Sequence, residues 1–141
     1  MTQLVEIPGV YDPGAVAAAE ARVRTFCGWH IAPSRSETVI LDGSGDPSLH
    51  LPSMLVTAVA SVVEDGVTLA ATEYSWSVSG VLERAAGNWT SKWRAVEVNL
   101  THGYAECPDD IRREISRLSA AGYATPPDLS KDVLMPYQLL V

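Results

Sequence analysis

Between Ala95 and Thr101 apolar and polar residues alternate, with Val96, Val98 and Leu100 on one face and Glu97, Asn99 and Thr101 on the other. A period of two predicts a half-buried strand. Gly103 follows, where the backbone can turn in a way that a Cβ would resist. Beyond it the period lengthens. Ile111, Ile115 and Leu118 share one helical stripe, with Arg112, Arg113, Glu114 and Arg117 around the rest of the helix. Pro108 suits the first helical position, and Asp109 and Asp110 meet the positive end of the helix dipole. A helix over 108–121 is predicted, stopped at Gly122.

A second helical stripe lies near the start, at Val16, Ala19, Val23 and Phe26. Asp12 can cap it, Pro13 opens it and Gly28 ends it, so a helix over 12–27 is predicted. Ala17, Ala18 and Ala21 leave little bulk, which lets a neighbouring surface approach closely. Between the two helices the chain reads as short β runs over 37–102. They fall at 38–41, around Leu49 and Leu51, at 55–63, at 67–71 after Glu64-Asp65-Gly66, at 74–78 and at 81–84. Turn residues punctuate them. The predicted class is α+β: an N-terminal helix, a central antiparallel β-sheet or small sandwich of short strands, and a C-terminal helix.

Residues 1–124 read as one domain and 125–141 as an extended C-terminal arm. Pro126 and Pro127 stiffen its base. In an extended chain Val133, Met135 and Tyr137 fall on one side and Leu134 on the other. Leu129, Leu139, Leu140 and Val141 add to an apolar character that frayed termini seldom have.

The net charge of -7 and a pI of about 4.8 argue against a surface built to grip nucleic acid. Acidic walls instead suit a surface that DNA slides past, and Glu64, Asp65, Glu73 and Glu83 are the carboxylates available in the β region. No apolar run reaches the roughly 20 residues that span a bilayer. The first residues, MTQLVEIPGV, lack a basic n-region and an apolar h-region, so no secretion is expected.

Candidate chemistry is sparse. Cys27 and His30 have C-x-x-H spacing, and His102 and Cys107 would complete a Cys₂His₂ zinc set only if the fold joined two separate connections. The plainer reading is a buried Cys27 on the first helix and an ordinary Cys107 near the N-cap of the last, with no metal or other cofactor. The three histidines and many serines come without a G-x-S-x-G elbow, and Gly43-Ser44-Gly45 lacks the Lys of a P-loop. No enzymatic role is expected. Trp29, Trp76, Trp89 and Trp93 offer one alternative, a β-rich carbohydrate-binding module with exposed Trp residues. The competing reading is that they pack the core.

The strand ending in THGY and the acidic-Pro-Asp-Ile entry to the last helix resemble the head-to-tail connector (adaptor, head completion) proteins of long-tailed bacteriophages. CGWHIAP at 27–33, LHLPSMLVTAVASVVEDG at 49–66 and YSWSVSGVLER at 74–84 occur in the same order as in the actinobacterial-phage type. The resemblance covers 12–122. It implies a structural virion protein at the head–tail interface, made in the host bacterial cytoplasm. About twelve copies would form a ring beneath the portal, joining capsid to tail and extending the DNA channel. The implied partners are further copies of itself, the portal protein and a stopper or tail-completion protein, with genomic DNA passing through unread. Within that frame Leu129, Val133, Leu134, Met135, Tyr137, Leu139, Leu140 and Val141 are the expected portal-binding arm. Glu64, Asp65, Glu73 and Glu83 are expected channel-lining residues. Ala17, Ala18, Ala21, Arg112, Arg113 and Arg117 are the expected subunit interface.

Overall fold

A computed structural model describes residues 12–120 and 127–139. The expected stop at Gly122, the base of the arm at 125–126, and Leu140 and Val141 lie outside the described residues. The chain divides into two units, one formed by 1–33 with 104–140 and the other by 34–103.

The first unit is helical. Helix α1 (Pro13–Cys27) starts where the Asp12 carboxylate accepts the Ala15 N–H at 3.1 Å, with Pro13 at the first position. It ends at Gly28, whose φ of 81° lets its N–H return to the Arg24 carbonyl at 2.8 Å. Ala15, Val16, Ala19, Val23 and Cys27 form its buried side. Helix α2 (Asp109–Ala120) packs on it and buries Ile111, Ile115 and Leu118, the stripe that the sequence predicts. The expected extended arm is instead helical over part of its length. Lys131–Leu134 forms a short helix, α3, and Met135–Tyr137 a 3-10 turn. Leu134 is fully buried. Sequence alternation favoured an extended chain, but an apolar side chain next to α1 and α2 gains more by turning into their groove.

The second unit holds two antiparallel sheets. Strands β1 (Arg35–Leu41), β3 (Val56–Glu64), β4 (Val67–Thr68) and β7 (Val96–His102) pair in the order β1-β7-β3-β4. Strands β2 (Ser48–His50), β5 (Tyr74–Trp76) and β6 (Val81–Arg84) pair in the order β2-β6-β5. The α+β class therefore stands, with two sheets. The return strand after Asp65-Gly66 is shorter than expected, because a 3-10 turn at Ala71–Glu73 follows it. The expected alternation of β7 is exact in its burial: Val96, Val98 and Leu100 are inside, Glu97 and Asn99 outside. Leu49 of β2, Leu82 of β6, Val56 and Val62 of β3 and Trp89 meet them in one core between the sheets.

Two glycines test how tightly this unit is closed. A Cβ on Gly43 would fall 1.7 Å from the Thr90 carbonyl oxygen, whereas one on Gly66 would meet nothing within 4 Å. Gly66 needs only its φ of 82° at the hairpin. Gly66→Ala should cost about 1 kcal/mol of left-handed strain. Gly43→Ala must move backbone and should cost near the top of the about 1–3 kcal/mol typical of overpacking. Urea unfolding of the two variants checks the order, and an equal or larger loss at Gly66 would contradict it.

Candidate functional site

The first unit carries a latch on its C-terminal segment. The motif CGWHIAP forms a sharp turn after α1. Arg24 clamps it, donating from Nε to the His30 carbonyl at 3.0 Å and from Nη2 to the Ala32 carbonyl at 2.8 Å. The clamp holds Ile31 at a φ of 70°, a strained value for a β-branched residue. His30 Nε2 donates to the Pro33 carbonyl at 2.6 Å. The turn presents two groups to the C-terminal segment. Trp29 Nε1 donates to the Tyr137 carbonyl at 2.7 Å, and the Cys27 carbonyl accepts the Leu139 N–H at 2.7 Å. The Tyr104 ring, from the THGY motif, sits edge-on to Tyr137 with centroids 6.2 Å apart.

Helix α2 supplies the rest of the latch. The Tyr137 hydroxyl donates to both Asp110 oxygens at 2.8 and 3.0 Å. Burial and that carboxylate push the phenol up to about 12. Glu114 is buried and receives Arg117 in a two-pronged pair at 2.7 and 2.8 Å. It also accepts the Ser130 N–H at 2.6 Å, while Arg117 reaches the Asp128 carbonyl at 2.6 Å. Glu114 thus holds the entry to α3 and Asp110 the far end.

In the second unit the chain at 88–95 forms a fixed loop beside the β3–β4 hairpin. Trp89 is buried beneath Arg84, whose guanidinium lies 5.5 Å from the ring centre. Glu64 accepts the Thr90 N–H at 2.9 Å and lies 3.5 Å from Arg84. Lys92 bridges to Asp65 at 2.7 Å, and Arg94 donates its N–H to Asp42 at 2.8 Å. Trp93, between them, is 86% exposed. At the other end of β7, His102 is buried and meets Glu37 at 2.6 Å. Burial works against ionising Glu37, but the His102 hydrogen bond and the Arg35 charge outweigh it and hold its pKa low.

The expected site residues divide unevenly. Asp65, Glu73 and Glu83 are exposed carboxylates, but Glu64 is not: its side chain is engaged under the loop. Ala17, Ala18, Arg112 and Arg113 lie on the surface of the first unit, Ala21 is half-buried, and Arg117 is spent on Glu114. Of the expected arm, Leu134 is core, Met135 is 57% exposed, and Leu129, Val133, Tyr137 and Leu139 are half-buried. Trp29 and Trp89 are core, whereas Trp76 and Trp93 reach the surface. Burial pushes the Cys27 thiol up to about 11 and the Cys107 thiol up to about 12. Both are neutral at pH 7. Among the described residues no three His, Cys, Asp or Glu side chains gather as a metal would require. The latch and the loop are not legible in the sequence, since their tying partners, such as Trp29 with Tyr137 and Asp42 with Arg94, lie far apart along the chain.

The latch predicts an acid response. The Arg117 hydrogen bonds, more than burial opposes, lower the Glu114 pKa below its ordinary 4.5. A lowered folded value contributes stability that is complete above the unfolded value and fades as pH falls through the folded one. The protection of the Ser130 amide, its hydrogen exchange relative to the intrinsic rate at each pH, should therefore fall below about pH 4.5. Glu114→Gln should loosen the segment at neutral pH by about 1–3 kcal/mol and abolish that acid step. An unchanged acid step in the variant would assign it elsewhere.

No protein-family model matches the sequence, and no curated protein does. Solved structures match over nearly the whole chain. A chain in the neck of a native gene transfer agent (GTA) particle, computed with C12 symmetry, superposes with a TM-score of 0.69 at 16% identity, over 99% of this chain and 95% of that one. A chain in the neck of an empty GTA particle, computed with C6 symmetry, gives 0.62 at 16% over the same shares. A chain of the native GTA virion gives 0.65 at 13%, again over 99% and 95%. The protein has the fold of these neck and virion chains.

Proposed function

We propose that this protein is a head-to-tail adaptor: a structural subunit that forms a ring at the junction between a phage-like capsid and its tail. The observation that carries the reading is the end-to-end likeness to neck chains of a GTA particle. The order of the motifs at 27–33, 49–66, 74–84 and 101–111 supports it independently, and on that order rests the actinobacterial-phage type. A neck computed with C12 symmetry supports about twelve copies. The chemistry fits an assembly role, with neutral thiols and carboxylates already committed to latch and loop. Mixed with its portal and imaged in negative stain, the protein should add a closed ring to the portal. A lone monomer or a two-fold dimer on the portal would overturn the reading.

Within this reading the part of the C-terminal segment beyond Leu134 is the portal contact: it exchanges its bonds to Trp29, Cys27 and Asp110 for the portal, while Leu129 and Leu134 stay packed. Strand addition by the released segment would supply main-chain bonds. A chain ending at Pro136 keeps Leu134 and loses Tyr137 and Leu139. It should stay folded and fail to bind portal, as read by co-sedimentation. Normal binding would move the contact to α2.

The channel wall is assigned to Asp65, Glu73 and Glu83, exposed in the second unit. Charge reversal of Glu73 and Glu83 to Lys should slow DNA ejection by attracting phosphate. Unchanged ejection kinetics would put these side chains outside the channel.

A further inference from the structure

Single apolar side chains on a surface are ordinary. Trp93 differs in being 86% exposed on a loop that cannot retract it. Six hydrogen bonds fix the loop. Trp89 N–H donates to the Asp46 carbonyl at 2.9 Å, Thr90 N–H to Glu64 at 2.9 Å and Gly43 N–H to the Lys92 carbonyl at 2.8 Å. Lys92 Nζ donates to Asp65 at 2.7 Å, Arg94 N–H to Asp42 at 2.8 Å and Asp65 N–H to the Ala95 carbonyl at 2.7 Å. Arg94 takes a φ of 54°, which turns the chain sharply after Trp93. A large indole carried on a backbone already fixed is a partly pre-ordered anchor, since little loop freedom remains to be lost on binding.

The first unit carries a matching hollow of 430 Å³, lined by Ala21, Arg22, Thr25, Phe26 and Leu129. That volume lies within the about 300–1,000 Å³ of ordinary small-molecule pockets and leaves room for an indole. The walls are largely apolar, and Phe26 offers a ring. Arg22 Nη1 is buried without a hydrogen-bond partner among the described residues. A guanidinium in that state is suited to lie on the face of an aromatic ring, and Trp is the best such ring. One opposite pair is available beside the two features, since Arg94 follows the knob and exposed Asp128 precedes Leu129 of the hollow, while Arg22 in the wall is a cation like Arg94.

We propose that Trp93 of one copy inserts into the Ala21–Arg22–Thr25–Phe26–Leu129 hollow of the next copy. The inference rests on the ring reading above and names its contact. A ring needs two different complementary patches on each subunit, and a knob with a separate hollow meets that need. The contact leaves Arg112 and Arg113 out of the interface and uses Ala21 in it.

Two variants of the full chain test the contact, each first shown folded by circular dichroism. Trp93→Ala removes the knob, and Thr25→Arg fills the hollow from an exposed helical position. Sedimentation velocity across a concentration series reads self-association. The wild type should associate, and each variant should do so at least about 30-fold more weakly, as for loss of a binding hot spot. The equimolar mixture should recover one contact, giving a heterodimer that grows no further, because each variant keeps the half that the other lost. Wild-type association by either variant, or a mixture no better than its components, overturns the contact. So does a wild type that stays monomeric at millimolar concentration. The portal micrograph reads the ring separately, so a ring that forms with Trp93→Ala would reject this contact and keep the adaptor.

Discussion

Strand β7 is the constraint from which the second unit follows. It is paired along both edges, to β1 through seven residues from Arg35↔His102 to Leu41↔Val96, and to β3 with two register shifts. A strand hydrogen-bonded on both sides cannot slip by one residue without turning Val96, Val98 and Leu100 to the outside. Those side chains, all fully buried, fix where Leu49 and Leu82 of the other sheet must land. The same register fixes Asp65, which takes the Ala95 carbonyl immediately before β7. The loop that carries Trp93 is thereby tied to the strand that is paired along both edges.

The first unit rests on a different interaction. Glu114 sits buried with one cation and one backbone donor on it, an arrangement that costs desolvation and returns orientation. Its effect is to hold 127–139 against α1 and α2 through polar bonds of known direction, with Leu134 supplying the apolar contact. The proposed exchange with the portal would release the Trp29, Cys27 and Asp110 bonds at the far end while Glu114 and Leu134 keep the entry in place.

Much of the fold was legible because its signals are local. The Asp12 cap, Pro13, Gly28, the β7 alternation and the Ile111–Ile115–Leu118 stripe each lie within one element. What was not legible depends on partners far along the chain. Leu134 looked like one residue of an extended apolar tail, since its groove is built by residues from 13 to 120. Glu64 looked like a hairpin-tip carboxylate, and only folding brings Arg84 and the Thr90 amide to it. Trp93 was one of four tryptophans with nothing in the sequence to separate it from Trp89, its buried neighbour. Two of the motifs that carried the resemblance are a turn and a strand end, CGWHIAP beneath Arg24 and THGY at the end of β7, and the other two are strands of the sheets. They report how the chain folds, and function is reached through the fold.

The most direct measurement is a reconstruction of the head–tail junction from particles that carry this chain. The account predicts a closed ring of about twelve copies around the DNA path, against the portal. Absence of the chain from the junction, or its presence there as a monomer or two-fold dimer, would contradict it.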